Sequence, residues 1–204
     1  MFSNAIHPRK KLPEPFPGAV NTPLSNLLNF LLYEAGWLAC MGASAAGHSQ
    51  IGIACAAILM AVHLQLHPRR SRQILLMTVA ASAGLLVDSL LIAAGILKFT
   101  QAGPLPSLPP LWMTVLWAQF ATTMPNCLRW LCQRPLLAAA LTYVGAPMTF
   151  LGGQRMELVH IATPELPSLL LLGSLWAITV PGLLWCSSRL HPGPPSSDDY
   201  TCFR

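Results

Sequence analysis

Residues 67–97, HPRRSRQILLMTVAASAGLLVDSLLIAAGIL, decide how the chain folds. A turn carrying Arg69, Arg70 and Arg72 gives way at Gln73 to 25 residues with no basic side chain and one acid, Asp88. A helix of that length rises about 38 Å, and the hydrocarbon layer of a bilayer is about 30 Å thick, so the segment reaches across it with some tilt. The rest of the 204 residues agrees, being 53% hydrophobic and only 9% charged. Soluble domains carry about 25% charged residues. This chain has too little charge for a soluble surface and too much hydrophobicity for disorder.

Toward the N-terminus lie two more apolar runs, Ile51–Leu66 and Ser25–Ala46, joined by the short connector 47–50 and therefore an antiparallel hairpin. Sixteen residues rise only about 24 Å, so the second run should recruit His48 to Gln50 or the Leu66-His67 end. Basic residues before the first run and Ala43-Ser44-Ala45 at its end resemble a cleaved secretory signal. Glu34 inside the run, and five further runs, favour a retained span. Toward the C-terminus, Gly103, Pro104, Pro106 and Pro109 make a loop, and Pro110 opens a fourth run, Leu111–Leu131. Pro135 opens a fifth run, Leu136–Leu151, with a break expected at Gly145-Ala146-Pro147. A polar connector, 152–164, leads to the sixth run, Leu166–Cys186.

The expected fold is thus all-α: a polytopic membrane bundle of six transmembrane helices over residues 25–186. Pro-rich cytoplasmic tails, 1–24 and 187–204, flank it. An even number of spans puts both termini on one side. That side holds Arg9, Lys10, Lys11, Arg69, Arg70, Arg72, Arg129, Arg134, Arg189 and Arg204, and the other only Lys98 and Arg155. The positive-inside rule makes both termini cytoplasmic. The net charge of +5 is explained by orientation, and no basic stripe interleaved with aromatics points to nucleic acid. Trp112 and Trp130, near the two ends of the fourth run, suit an interfacial aromatic pair. Gly36 and Cys40, Ala80 and Gly84, and Gly84 and Asp88 stand four apart, the spacing of close helix packing.

Two carboxylates, Glu34 and Asp88, fall inside apolar runs, where an ionisable group costs at least about 2.5–3.5 kcal/mol and needs a partner or water. Gln119, Thr122, Thr123 and Asn126 share one face of the fourth run. Glu34 and Thr122 fall at similar depth, roughly 14 Å from the cytoplasmic end, so Glu34 is expected to meet that face, with Asp88 nearer the outer side. Pro125 frees the Ala121 carbonyl and favours a kink there. Ser89 adjoins Asp88, and Arg155 is the only basic candidate on the outer side apart from Lys98. These residues, Glu34, Asp88, Ser89, Gln119, Thr122, Thr123, Asn126 and Arg155, are the candidate polar intramembrane or ligand-binding set.

Other chemistry has little support. His63 and His67 stand four apart, a spacing that suits a metal or haem edge, but no other span offers a histidine at their depth, so neither metal nor cofactor is expected. The six cysteines form no CxxC pair, and five lie in or at the ends of apolar runs as small fillers. No GxSxG, HExxH or phosphate-cradling loop occurs.

Several segments resemble one family. They are Trp37-Leu38-Ala39-Cys40, Leu86-Val87-Asp88-Ser89-Leu90-Leu91, Pro110-Leu111-Trp112 running to Trp117, Phe120-Ala121-Thr122-Thr123, and Gly145-Ala146-Pro147 with Gly152 and Arg155. In order over residues 25–186 they are similar to a family of small bacterial inner-membrane proteins known only as a domain of unknown function. Met124-Pro125-Asn126 departs from the uninterrupted helix expected after the Thr-Thr pair. The resemblance carries no activity. It implies a link to lipid metabolism, because family members are encoded near fatty-acid-modifying enzymes.

Three functions compete. The first is an accessory or binding protein for a lipid-like ligand, with membrane lipids and lipid-modifying enzymes as partners; it requires an apolar cavity with a few polar groups. The second is a proton-coupled transporter using Glu34 and Asp88, which requires a water path to both. The third is an intramembrane lipid-modifying enzyme, which requires a second titratable group beside Asp88.

Overall fold

The computed structural model describes residues 23–101 and 103–192. The expected tails lie outside it, except that the first helix begins at Pro23 and the last runs on to Leu190. Six helices, α1 (Pro23–Ala45), α2 (Ser49–Leu66), α3 (Arg70–Ala93), α4 (Leu111–Phe120), α5 (Pro135–Arg155) and α6 (Glu165–Leu190), follow the six apolar runs. Two short strands, β1 (Leu97–Phe99) and β2 (Val159–Ile161), pair antiparallel with Leu97 opposite Ile161. Helices α2, α3, α5 and α6 are long and apolar enough to cross a membrane. Helix α1 has the length, but Asn26, Asn29, Tyr33 and Glu34 dilute its apolar character.

Polarity is distributed as a bilayer demands. Asn29, Gln73, Asp88, Gln119, Thr122 and Thr123 are buried, while Leu38, Ile58, Leu86, Val144 and Ile178 are exposed. In water that surface would be an aggregation hazard; in lipid it costs nothing, and the polar groups must find partners inside.

Helix α4 occupies the middle, against α1, α2 and α3, while α5 pairs with α6. Small residues set the closest approaches. A Cβ on Gly52 of α2 would lie 2.8 Å from the Cys40 Cα of α1. A Cβ on Gly173 of α6 would lie 2.5 Å from the Tyr143 carbonyl oxygen. That carbonyl is the one Pro147 leaves without an amide donor, and α5 runs unbroken through Pro147 instead of stopping at the expected break.

The fourth run departs furthest from expectation. A continuous helix was predicted to Leu131, but α4 ends at Phe120, and turns lead to a 3-10 segment, Arg129–Gln133. The Thr122 and Thr123 hydroxyls donate to the Gln119 and Phe120 carbonyls at 2.7 and 2.6 Å, and Pro125 has no N–H to continue the ladder. The third run also ends early. Gly95, at φ 71°, turns the chain out of α3 and into β1. Trp112, expected at an interface, is buried against Phe99 at 5.8 Å between ring centroids.

The helix connections gather at two ends. At one, Arg69 and Arg72 donate to the carbonyls of Pro192 and Leu190, tying the α2–α3 turn to the end of α6. At the other, Gln101 donates to the Ser44 carbonyl beside the β1–β2 ribbon.

Candidate functional site

Ending a helix inside a bundle strands its last carbonyls, and the buried amides supply their partners. Gln73 of α3 donates to the Ala121 carbonyl at 3.2 Å. Asn29 of α1 donates to the Thr122 carbonyl at 3.1 Å, and Asn126 reaches the same oxygen at 3.0 Å. Gln119 donates to the Tyr33 carbonyl at 3.0 Å, and its side chain lies over Gly36, where a Cβ would come within 1.9 Å of Nε2. Helices α1 and α4 therefore meet through polar groups, but Asn29 and backbone carbonyls take the place expected for Glu34. The Thr122, Thr123 and Asn126 side chains donate to carbonyls at the end of α4, while Gln119 donates to α1. Gln73, read only as the start of a run, belongs with them.

Glu34 instead lines a cavity of about 450 Å³. From α1 come Tyr33, Glu34, Trp37 and Met41, and from α4 Trp112, Trp117 and Phe120. Thr142, Gly145, Thr149 and Phe150 of α5 form the opposite wall, with Trp176 of α6 behind. Phe99, Leu158 and Val159 of the ribbon region close one end. Helix α1 packs mainly on α2 and α4, and α5 on α6, so the cleft between α1 and α5 has no extensive helix–helix interface to seal it. The Nε1 groups of Trp112 and Trp176 are buried with no acceptor among the described residues. The Thr142 and Thr149 hydroxyls donate to carbonyls of their own helix.

Asp88 lies one layer further in. Its Oδ2 accepts from Trp117 Nε1 at 2.9 Å, and Oδ1 has no partner among the described residues. Trp117 fills the space over Gly84, where a Cβ would fall 2.0 Å from the ring, and stacks on Trp176 at 4.2 Å. The indole thus stands between Asp88 and the cavity that Glu34 lines. The two carboxylates are not brought together. Ser89 donates to the Leu85 carbonyl at 2.6 Å, and Arg155 is exposed at the last residue of α5, outside the cavity lining.

At the end holding the α2–α3 turn, His63 and His67 meet His191, with ring centroids 5.5 and 5.1 Å apart in succession. His191 follows α6, beyond the last apolar run, so comparing depths between spans missed it. The Asn29 amide nitrogen lies 3.2 Å from His63 Nδ1. Burial, and then the neighbouring His67, Arg69, Arg72 and Arg129, push His191 down to about 4. Among the described residues no three His, Cys, Asp or Glu side chains converge to hold a metal ion.

A helical membrane protein with a broken central helix and an aromatic cavity opening beside it is the class these features define. The chain belongs to the family described as "Protein of unknown function (DUF2878)", whose family model matches residues 26–182. No curated protein and no solved structure matches it.

Proposed function

We propose that the protein is an inner-membrane binding or accessory protein that takes up a lipid-like amphiphile in the cavity between α1 and α5. The observation that carries this reading is the cavity itself: about 450 Å³, walled by aromatic and aliphatic side chains, with Glu34 the one carboxylate among the described residues that line it. Ligand sites run about 300–1,000 Å³ and combine an apolar wall with a few polar groups. Because α1 and α5 share no extensive interface, the cleft between them faces the surrounding lipid, and an amphiphile enters sideways without crossing water. In this reading the chain crosses the membrane six times, the fourth crossing being made by α4 and the turns to Gln133. Both termini are cytoplasmic, and lipid-modifying enzymes are partners that supply or use the ligand.

The test is a diazirine-tagged single-chain alcohol, photolysed with the purified protein and mapped by peptide mass spectrometry. Labelling of Trp37, Met41 and the Thr142–Thr149 face should saturate and be blocked by excess untagged alcohol. Labelling confined to Leu38, Val144 and other outward residues, rising linearly with probe, would contradict the reading.

A further inference from the structure

We infer that the occupant of the α1–α5 cavity carries a cationic, ammonium-type head group, recognised by Glu34 and the rings around it; the inference rests on the cavity being an amphiphile site. Among the described residues no Lys, Arg or His lines the cavity, and Glu34 is its one carboxylate. Among the described residues no hydrogen bond or ion pair engages that carboxylate, although the neighbouring amides are all committed elsewhere. An acid in an apolar cleft needs a partner, and a cation is the one that matches its charge.

The surroundings favour the cation. Tyr33 and Trp37 flank Glu34 on α1, and the Tyr33 ring meets Phe120 at 5.9 Å between centroids. Ring faces carry the negative end of the aromatic quadrupole and attract ammonium groups, most strongly where water is excluded. An anionic head would meet Glu34 and the same rings with the wrong sign. The unpartnered Nε1 donors of Trp112 and Trp176 suit an ester, ether or hydroxyl oxygen further along the molecule. The ligand class is therefore an apolar chain bearing an oxygen and an ammonium head.

The experiment uses the whole protein in uncharged maltoside micelles and the tagged alcohol as reporter. Three competitors of one chain length are compared: an alkyltrimethylammonium, the alcohol and the alkyl sulfate. The ammonium compound should protect at about tenfold lower concentration than the alcohol, and the sulfate should protect least. Glu34→Gln should bring ammonium and alcohol within about twofold of each other while alcohol protection persists. Trp37→Leu, which keeps the charge, should weaken the ammonium compound about threefold more than it weakens the alcohol. Equal protection by all three, or an ammonium preference unchanged in Glu34→Gln, would overturn the head-group assignment and leave the cavity reading standing. No saturable labelling in the wild type would overturn both.

Discussion

Trp117 and Asp88 form a buried pair in which the indole Nε1 donates to Oδ2 at 2.9 Å while the ring occupies the space left by Gly84. The three residues are one device. A carboxyl inside the bundle needs a donor, the donor needs a ring-sized gap, and a glycine one turn before the acid supplies it. Asp88→Ala should lower stability in detergent by about 1–3 kcal/mol, because it leaves a buried indole N–H unpaired. Asp88→Asn keeps an acceptor and should cost much less. Gly84→Ala should cost about as much as Asp88→Ala or more, since the ring must move. Reversible chemical unfolding measures all three, and a silent Gly84→Ala would contradict the packing.

The broken fourth segment should depend on the amides that meet its carbonyls. Gln73→Leu strands the Ala121 carbonyl, and Asn29→Ala removes a donor to the Thr122 carbonyl and a neighbour of His63, each at about 1–3 kcal/mol. Glu34→Ala should cost little, and its effect should add to that of Gln119→Ala, because the Gln119 amide donates to backbone carbonyls of α1. A coupling above about 0.5 kcal/mol between positions 34 and 119 would mean the two side chains touch after all.

These residues also show what the sequence discloses and what it hides. Six apolar runs, the hairpin at 47–50 and the freed Ala121 carbonyl at Pro125 were legible, because length, hydropathy and proline chemistry are local. Gly84 four before Asp88 was legible as a packing pair, but its partner ring was not, since Trp117 is 29 residues from Asp88 along the chain. The hydrogen-bond partners of the Gln119–Asn126 face were not legible, for a physical reason. Polar groups at mid-membrane point to a ligand or to one another, and the helix break whose carbonyls take up several of them leaves no local signal. The β1–β2 ribbon escaped because three-residue strands carry no period, and the cavity escaped because it is walled by side chains from helices far apart in the sequence.

Stability should fall in acid through the histidine cluster. His191 is held down to about 4 against an ordinary 6.5 by burial and by His67, Arg69, Arg72 and Arg129. Below 6.5 the unfolded chain takes up a proton that the native one refuses until about 4, so the native state loses stability as pH drops through that window and holds it in full above. The Tm in maltoside should be lower at pH 5 than at pH 7.5, and His191→Gln should flatten the difference. An unchanged slope in the variant would remove His191 from the explanation.

The proposed topology, six crossings with cytoplasmic termini, is tested with reporter fusions. Fusions after residues 50, 103 and 160 should report the periplasm, and those after 70, 134 and 195 the cytoplasm, following the placement of basic residues. Any single reversal would break the six-crossing topology.

The cavity can be filled from within. Gly145 lines it, and a Cβ built there meets no atom within 4 Å. Gly145→Leu should therefore fold with a Tm close to that of the wild type while its side chain occupies the space an amphiphile needs. The deciding measurement is saturable photolabelling of the α1 and α5 cavity faces in this variant. It should fall at least about tenfold, the equivalent of 1.4 kcal/mol in binding, with labelling of the outer surface unchanged. Undiminished saturable labelling in a folded Gly145→Leu protein would show that the amphiphile binds somewhere else.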